Sequence, residues 1–119
     1  MKTITALFLF CSITVFAAAQ RPLIVNYEDV IARAKMELES SMNSGELKEF
    51  AVKNSVKGNY VMDLTIHEKG EVQTVFVVEG NAENLKMQTM VKDFIRRFKF
   101  SFKMPASKMY KFRYTFTFE

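Results

Sequence analysis

His67 is the only histidine of the chain, and it is followed by Glu68 and preceded, four residues back, by Asp63. These are residue types that do acid–base work, and Asp63, Thr65 and His67 share one side of an alternating stretch. An acid or base used in catalysis needs a perturbed titration, which burial or a charged neighbour in a cleft supplies. An exposed strand face beside a turn supplies neither. One histidine makes neither a metal site nor a nucleophile–base pair. An Asp63–His67 pair is the most its spacing offers. Gly58 and Gly70 are isolated, so no phosphate-cradling loop is present. The eight methionines fall mostly on apolar stripes, where they read as core packing rather than a soft-metal site. The chemistry expected of this chain is therefore not that of an enzyme, and it calls for no cofactor and no metal.

The beginning of the chain reads as a leader. Lys2 is followed by an apolar run over residues 4–16 and then by Ala17, Ala18 and Ala19. Charge, apolar run and small residues in that order describe a secretory signal peptide over residues 1–19, cut after Ala19. The apolar run of residues 4–19 is sixteen residues, short of the roughly 20 that a bilayer span needs. An uncleaved anchor is the competing reading. Cys11 lies inside this run behind a bulky Phe10, which disfavours lipidation. After cleavage no cysteine is left for disulfides or thiol chemistry. The expected location is the periplasm or outside the cell, with no stable membrane span and no nucleic acid as a partner. About 100 residues then remain, enough for one domain with one core.

Along that domain the spacing predicts its elements. Asn26 can cap a helix whose first turn carries Glu28 and Asp29. Val30, Ile31, Ala34, Leu38 and Met42 recur at helical spacing, and Asn43, Ser44 and Gly45 end the helix. Ser44 can cap a second short helix carrying Leu47, Phe50 and Ala51, although residues 49–56 also read as a strand. Tyr60, Met62, Leu64 and Ile66 alternate with polar residues, Gly70 supplies a turn, and residues 71–79 return as a second strand. Alternation slips at residues 75–78, which means a bulge or a strand covered on both faces. Asn81 or Asn84 caps a helix with an apolar stripe of Leu85, Met87, Met90, Val91, Phe94, Ile95 and Phe98. Arg96, Arg97 and Lys99 form a basic helix end that suits the dipole. Residues 98–104 read as an extended exit, able to pair with the last strand through a turn at Pro105. Finally Tyr110, Phe112, Tyr114, Phe116 and Phe118 face one way, and Lys111, Arg113, Thr115 and Thr117 the other.

The fold class expected is α+β: a three-stranded, mostly antiparallel sheet of β-hairpin, helix and strand, packed with helices and preceded by an N-terminal helix. The helix between the second and third strands makes those two strands parallel to each other. If the third strand pairs with the first, it is an edge. The divisions are 1–19 leader, 20–57 helical segment and 58–119 ββαβ domain. Charge is uneven, with net −4 over residues 20–84 and net +7 over residues 85–119. The basic half favours an acidic or anionic partner.

Residues 58–119 resemble the TonB C-terminal domain superfamily, including its stand-alone periplasmic members. The resemblance is carried by Gly58, the alternating strand, the Lys69-Gly70 turn and Val72. It continues through the second strand and its loop to Leu85, through Arg96, Arg97, Phe98, Lys99 and Phe100 at the helix end, and through the closing aromatic strand. The family's usual tryptophan is replaced by Phe98. Pro105 lies five residues past Phe100, and the usual glycine before the last strand is missing. The resemblance implies binding of a partner segment as an extra strand along residues 109–118, with Arg96 and Arg97 in support. The membrane anchor and Pro-rich spacer of an energy transducer are not seen, so the resemblance does not extend to transduction.

Two functions are therefore expected in competition. In the first, a periplasmic interaction module binds an envelope protein or extended peptide, acidic ones being favoured, along Met109, Lys111, Arg113, Thr115 and Thr117, or pairs with a second copy as a homodimer. In the second, a secreted ligand-binding or inhibitor domain holds an apolar pocket lined by Met36, Met42 and residues 98–104.

Overall fold

The computed structural model describes residues 21–119, and the expected leader at residues 1–19, with Cys11, lies outside the described residues. Within them the order is α1 (Tyr27–Ser44), α2 (Glu46–Asn54), β1 (Gly58–His67), β2 (Val72–Glu79), α3 (Leu85–Arg96) and β3 (Met109–Phe118). The three strands form one antiparallel sheet in the order β2-β1-β3. This is the expected α+β class, with β1 central and β3 at an edge.

Local sequence explains where each helix starts and stops. The Asn26 side chain accepts from the N–H groups of Glu28 and Asp29 at 2.8 and 3.3 Å, satisfying the first turn of α1. Residues 46–54 are helix, which settles the choice between helix and strand. Their cap is not Ser44. Gly45 takes the N-cap position, and the Ser41 hydroxyl, one turn back in α1, accepts from Leu47 N–H at 2.9 Å. A β-carbon on Gly45 would stand 3.0 Å from Ser41 Cα and 3.2 Å from the Ser41 hydroxyl that caps α2, so a larger residue would crowd this cap. Asn84 caps α3 by accepting from Met87 N–H, while Asn81 closes the turn before it. α3 ends at Arg96, so Lys99 lies beyond the helix rather than in its last turn.

Helices cover only one face of the sheet. Tyr60, Met62, Leu64 and Ile66 of β1 and Phe112, Phe116 and Phe118 of β3 are buried there, together with Val30, Ala34 and Leu38 of α1 and Leu47 of α2. The helical segment and the ββαβ unit thus share a single core. Each large apolar side chain fully buried in it contributes roughly 1.5–3 kcal/mol.

Residues 98–104 contribute most unexpectedly. Phe98, Phe100, Phe102 and Met104 are all buried, at 8, 1, 0 and 3 % exposure. Their backbone does not pair with β3. Phe100 N–H donates to Gly70 C=O at 2.9 Å, Met104 N–H donates to Glu68 C=O at 2.8 Å, and Lys99 bridges Glu71 in antiparallel fashion. On its other side Lys103 bonds Pro22 and Ile24. The segment is a belt between the hairpin turn and the chain's first described residues. Glu37 of α1 clamps it, accepting from Ser101 N–H at 2.9 Å, from the Ser101 hydroxyl, and from Arg33 at 2.7 Å. The expected pairing with β3 is not made, since the belt's backbone groups are spent on the hairpin turn and on Pro22 and Ile24.

The hairpin turn must therefore come very close to the belt. Gly70 has φ +76, and a β-carbon there would collide with the Phe102 carbonyl oxygen. Gly70→Ala is expected to lower unfolding free energy by more than about 2 kcal/mol, because left-handed strain and the backbone clash act together. Urea denaturation of the variant beside Gly58→Ala, which has an open surround, separates the two causes.

Candidate functional site

The ladder fixes which backbone groups of β3 are free. His67 N–H donates to Glu71 C=O, and His67 C=O accepts from Gly70 N–H, so the peptide groups of His67 face β2. Peptide groups alternate along a strand. Those of Ile66, Leu64, Met62, Tyr60 and Gly58 therefore face β3, where they meet Tyr110, Phe112, Tyr114, Phe116 and Phe118. It follows that the N–H and C=O groups of Met109, Lys111, Arg113, Thr115 and Thr117 point to the open edge. Tyr27 gives independent support, since its hydroxyl donates to Lys111 C=O at 3.4 Å.

The two edges of the sheet differ. β1 pairs with β3 through ten consecutive residues without a register shift. β2 carries two bulges, because Val61 opposes Glu79 while Met62 opposes Val77, and Thr65 opposes Thr74 while Ile66 opposes Val72. The slip in the alternation of β2 is thus a bulge, not burial on two faces, and Phe76 is left 66 % exposed. Bulges twist an edge away from a straight partner. The belt also occupies the start of β2 at Glu71. β3 is the regular edge.

Side chains of the edge residues project onto the uncovered face. Arg113 lies opposite Asp63 and donates to both carboxylate oxygens at 2.9 and 3.2 Å. Its hydrogen bonds and charge hold the Asp63 carboxyl below the usual aspartate range. So Asp63 pairs across the sheet with Arg113 and not along its strand with His67. His67 instead places Nε2 3.2 Å from Glu71, while Nδ1 accepts from Lys69 N–H at 3.2 Å. Among the described residues no group of three or more His, Cys, Asp or Glu is placed to hold a metal ion. Self-pairing of Arg113 also reduces the basic character of the edge, leaving Lys111 as its cation on β3.

Beside the lower half of β3 runs a groove of about 700 Å³. Met42 and Asn43 of α1 and Ala51 and Val52 of α2 form one wall, and Tyr114, Thr115, Thr117 and Phe118 form the other. Burial, with the nearby Glu39 charge, pushes the Tyr114 phenol up. Val52 is 71 % exposed there. This groove is not the pocket expected from the sequence. Met36 is 56 % exposed, and the phenylalanines of the belt fill the core, so of the residues named for that pocket only Met42 lines it.

The basic helix end stands apart. Arg97 lines a cleft between α2 and α3 with Glu46, Glu49 and Phe94, and Lys99 Nζ lies 3.9 Å from Glu71 at the β2 side. β1 and β2 separate Lys99 from the β3 edge, so the structure does not unite Arg96, Arg97 and Lys99 with Met109, Lys111, Arg113, Thr115 and Thr117.

The chain matches no protein-family model, no curated protein and no solved structure.

Linkage gives the sign of the Asp63 effect. A carboxyl with a lowered folded-state pKa stabilises fully above its unfolded value of about 3.9 and loses this as pH falls through the folded value. Wild-type urea midpoints are expected to drop more steeply between pH 5 and pH 3 than those of Asp63→Asn. Parallel midpoint curves for the two proteins would show that the pair contributes nothing measurable.

Proposed function

We propose that this protein is a non-enzymatic interaction module that binds an extended segment of an envelope protein as a fourth strand on β3. A single observation carries this reading: a straight edge strand whose free N–H and C=O groups at Arg113, Thr115 and Thr117 border a groove, while the opposite edge is bulged. Backbone hydrogen bonds provide affinity in such complexes, and alternate side chains provide selectivity. The three-stranded antiparallel sheet is compatible with a TonB C-terminal-like domain, whose members bind partners by strand addition. No helix among the described residues is long and apolar enough to cross a membrane. The module acts in the periplasm or outside the cell, as the leader-like residues 1–19 imply, and without transducing energy itself. With Arg113 held by Asp63, attraction for acidic partners rests on Lys111.

Proline at a position whose N–H faces outward removes no ladder bond, so the fold tolerates it while the docking donor is lost. Arg113→Pro and Thr115→Pro variants of residues 20–119 are expected to keep their near-ultraviolet circular dichroism. They should lose at least about tenfold in affinity for whatever the wild type captures from an envelope extract. A folded proline variant that captures the same polypeptide equally well would sink the proposal. A dimer mass in size exclusion, abolished by the same substitutions, would instead make the partner a second copy.

A further inference from the structure

We infer that the edge accepts a short strand with apolar side chains at alternate positions, its inner side selected by Met42 and Val52 and its length limited by Tyr27. This rests on the strand-addition reading and narrows the class of segment that fits.

The inner selection follows from sheet geometry. Side chains of an added strand continue the two faces of the sheet. Those facing outward join Arg113, Thr115 and Thr117, where the cation is already matched by Asp63, so polar residues of any sign are accepted. Those facing inward enter the groove between β3 and α2. Val52 is 71 % exposed there, and Met42 is only partly buried. An apolar side chain that enters beside them removes its own surface and theirs from water together. Glu39 and Lys48 both line the groove, so it has no preference for one sign of charge. A charged inward residue gives up part of its hydration beside Met42, Ala51 and Val52, whose side chains offer it no hydrogen bond. Selection therefore comes from alternation, not acidity.

Tyr27 sets the length. Its hydroxyl occupies the Lys111 carbonyl, and its ring packs edge-on against Tyr110 with centroids 4.9 Å apart. An added strand running toward Met109 meets this side chain on the same edge. The accessible stretch is Arg113 to Thr117, about five residues or roughly 16 Å of strand. A side chain that satisfies an edge carbonyl is a device that stops pairing.

Three capped peptides with flanking serines test this against the mature protein, followed by residue-resolved amide shifts and hydrogen exchange. One has the core Thr-Val-Thr-Val-Thr, which sets its valines opposite Tyr114 and Phe116 on the inner face, one has the same composition with its valines contiguous, and one has aspartate for the valines. The alternating peptide is expected to protect the Arg113, Thr115 and Thr117 amides and to bind about tenfold more tightly than either control. Val52→Asp should cost a similar factor, and Tyr27→Ala should let a nine-residue alternating peptide outbind the five-residue one, which it does not on wild type. Protection of the three amides by all peptides alike, or unchanged binding to Val52→Asp, overturns the inference and leaves strand addition standing. Equal gain from the longer peptide on wild type overturns the role of Tyr27. Absence of protection by every peptide, with binding elsewhere or none, overturns both this inference and the reading beneath it.

Discussion

The structure depends on one strand being paired along both sides. β1 has β2 on one side and β3 on the other, and its inward residues Tyr60, Met62, Leu64 and Ile66 are each 0 % exposed. A shift of one residue in either ladder would turn that whole row toward water. The ten-residue match with β3 therefore fixes more than a neighbour. It sets which peptide groups of β3 are spent on the ladder and which remain outside. It also brings Asp63 opposite Arg113, so the most favourable ion pair of the open face is a product of register. The turn at Gly70 is held in the same way, since the belt of residues 98–104 fits only against a backbone without a β-carbon.

The helices and the belt share the work of covering one side. α3 packs on β2, α1 reaches β3, and the belt closes the end near the hairpin turn. The belt supplies four large buried side chains, while Leu85 at the start of α3 stays in water. Among the described residues nothing covers the other side of the sheet, and its threonines and the Asp63–Arg113 pair are suited to that. At the margin of the sheet an unspent row of hydrogen-bonding groups meets the helical layer.

Much of this was legible in the chain. Periods of 2 and 3.6 identified the strands and helices, Asn26 marked the first helix start, and Gly70 marked the turn. The alternation of residues 110–118 assigned an inner and an outer face correctly, because one face is apolar at every position. What stayed hidden depends on contacts distant in sequence. The Ser41 hydroxyl caps a helix six residues on, which no local capping rule anticipates. Residues 98–104 alternate like a strand, yet no local signal names the turn at Gly70 as their partner. The preference of Asp63 for Arg113 over His67 becomes visible only after the β1–β3 register is chosen. The groove required the placement of α2, and residues 49–56, which include its second half, are ambiguous between two periods. The apolar belt looked available for a pocket because burial, not pattern, decides whether phenylalanines fill space or enclose it.

The bulges of β2 have a consequence for stoichiometry. A sheet with two receptive margins can recruit strand after strand and grow into a filament, because each addition regenerates the surface that captured it. Here the growth sites are unequal. Once β3 is covered, the remaining margin of this molecule is the irregular one. An added strand ends the sheet unless it brings a straight free edge of its own. With β2 bulged, a strand added at β3 would leave this molecule no second regular margin, and growth beyond one segment would depend on the edge that the segment itself brings.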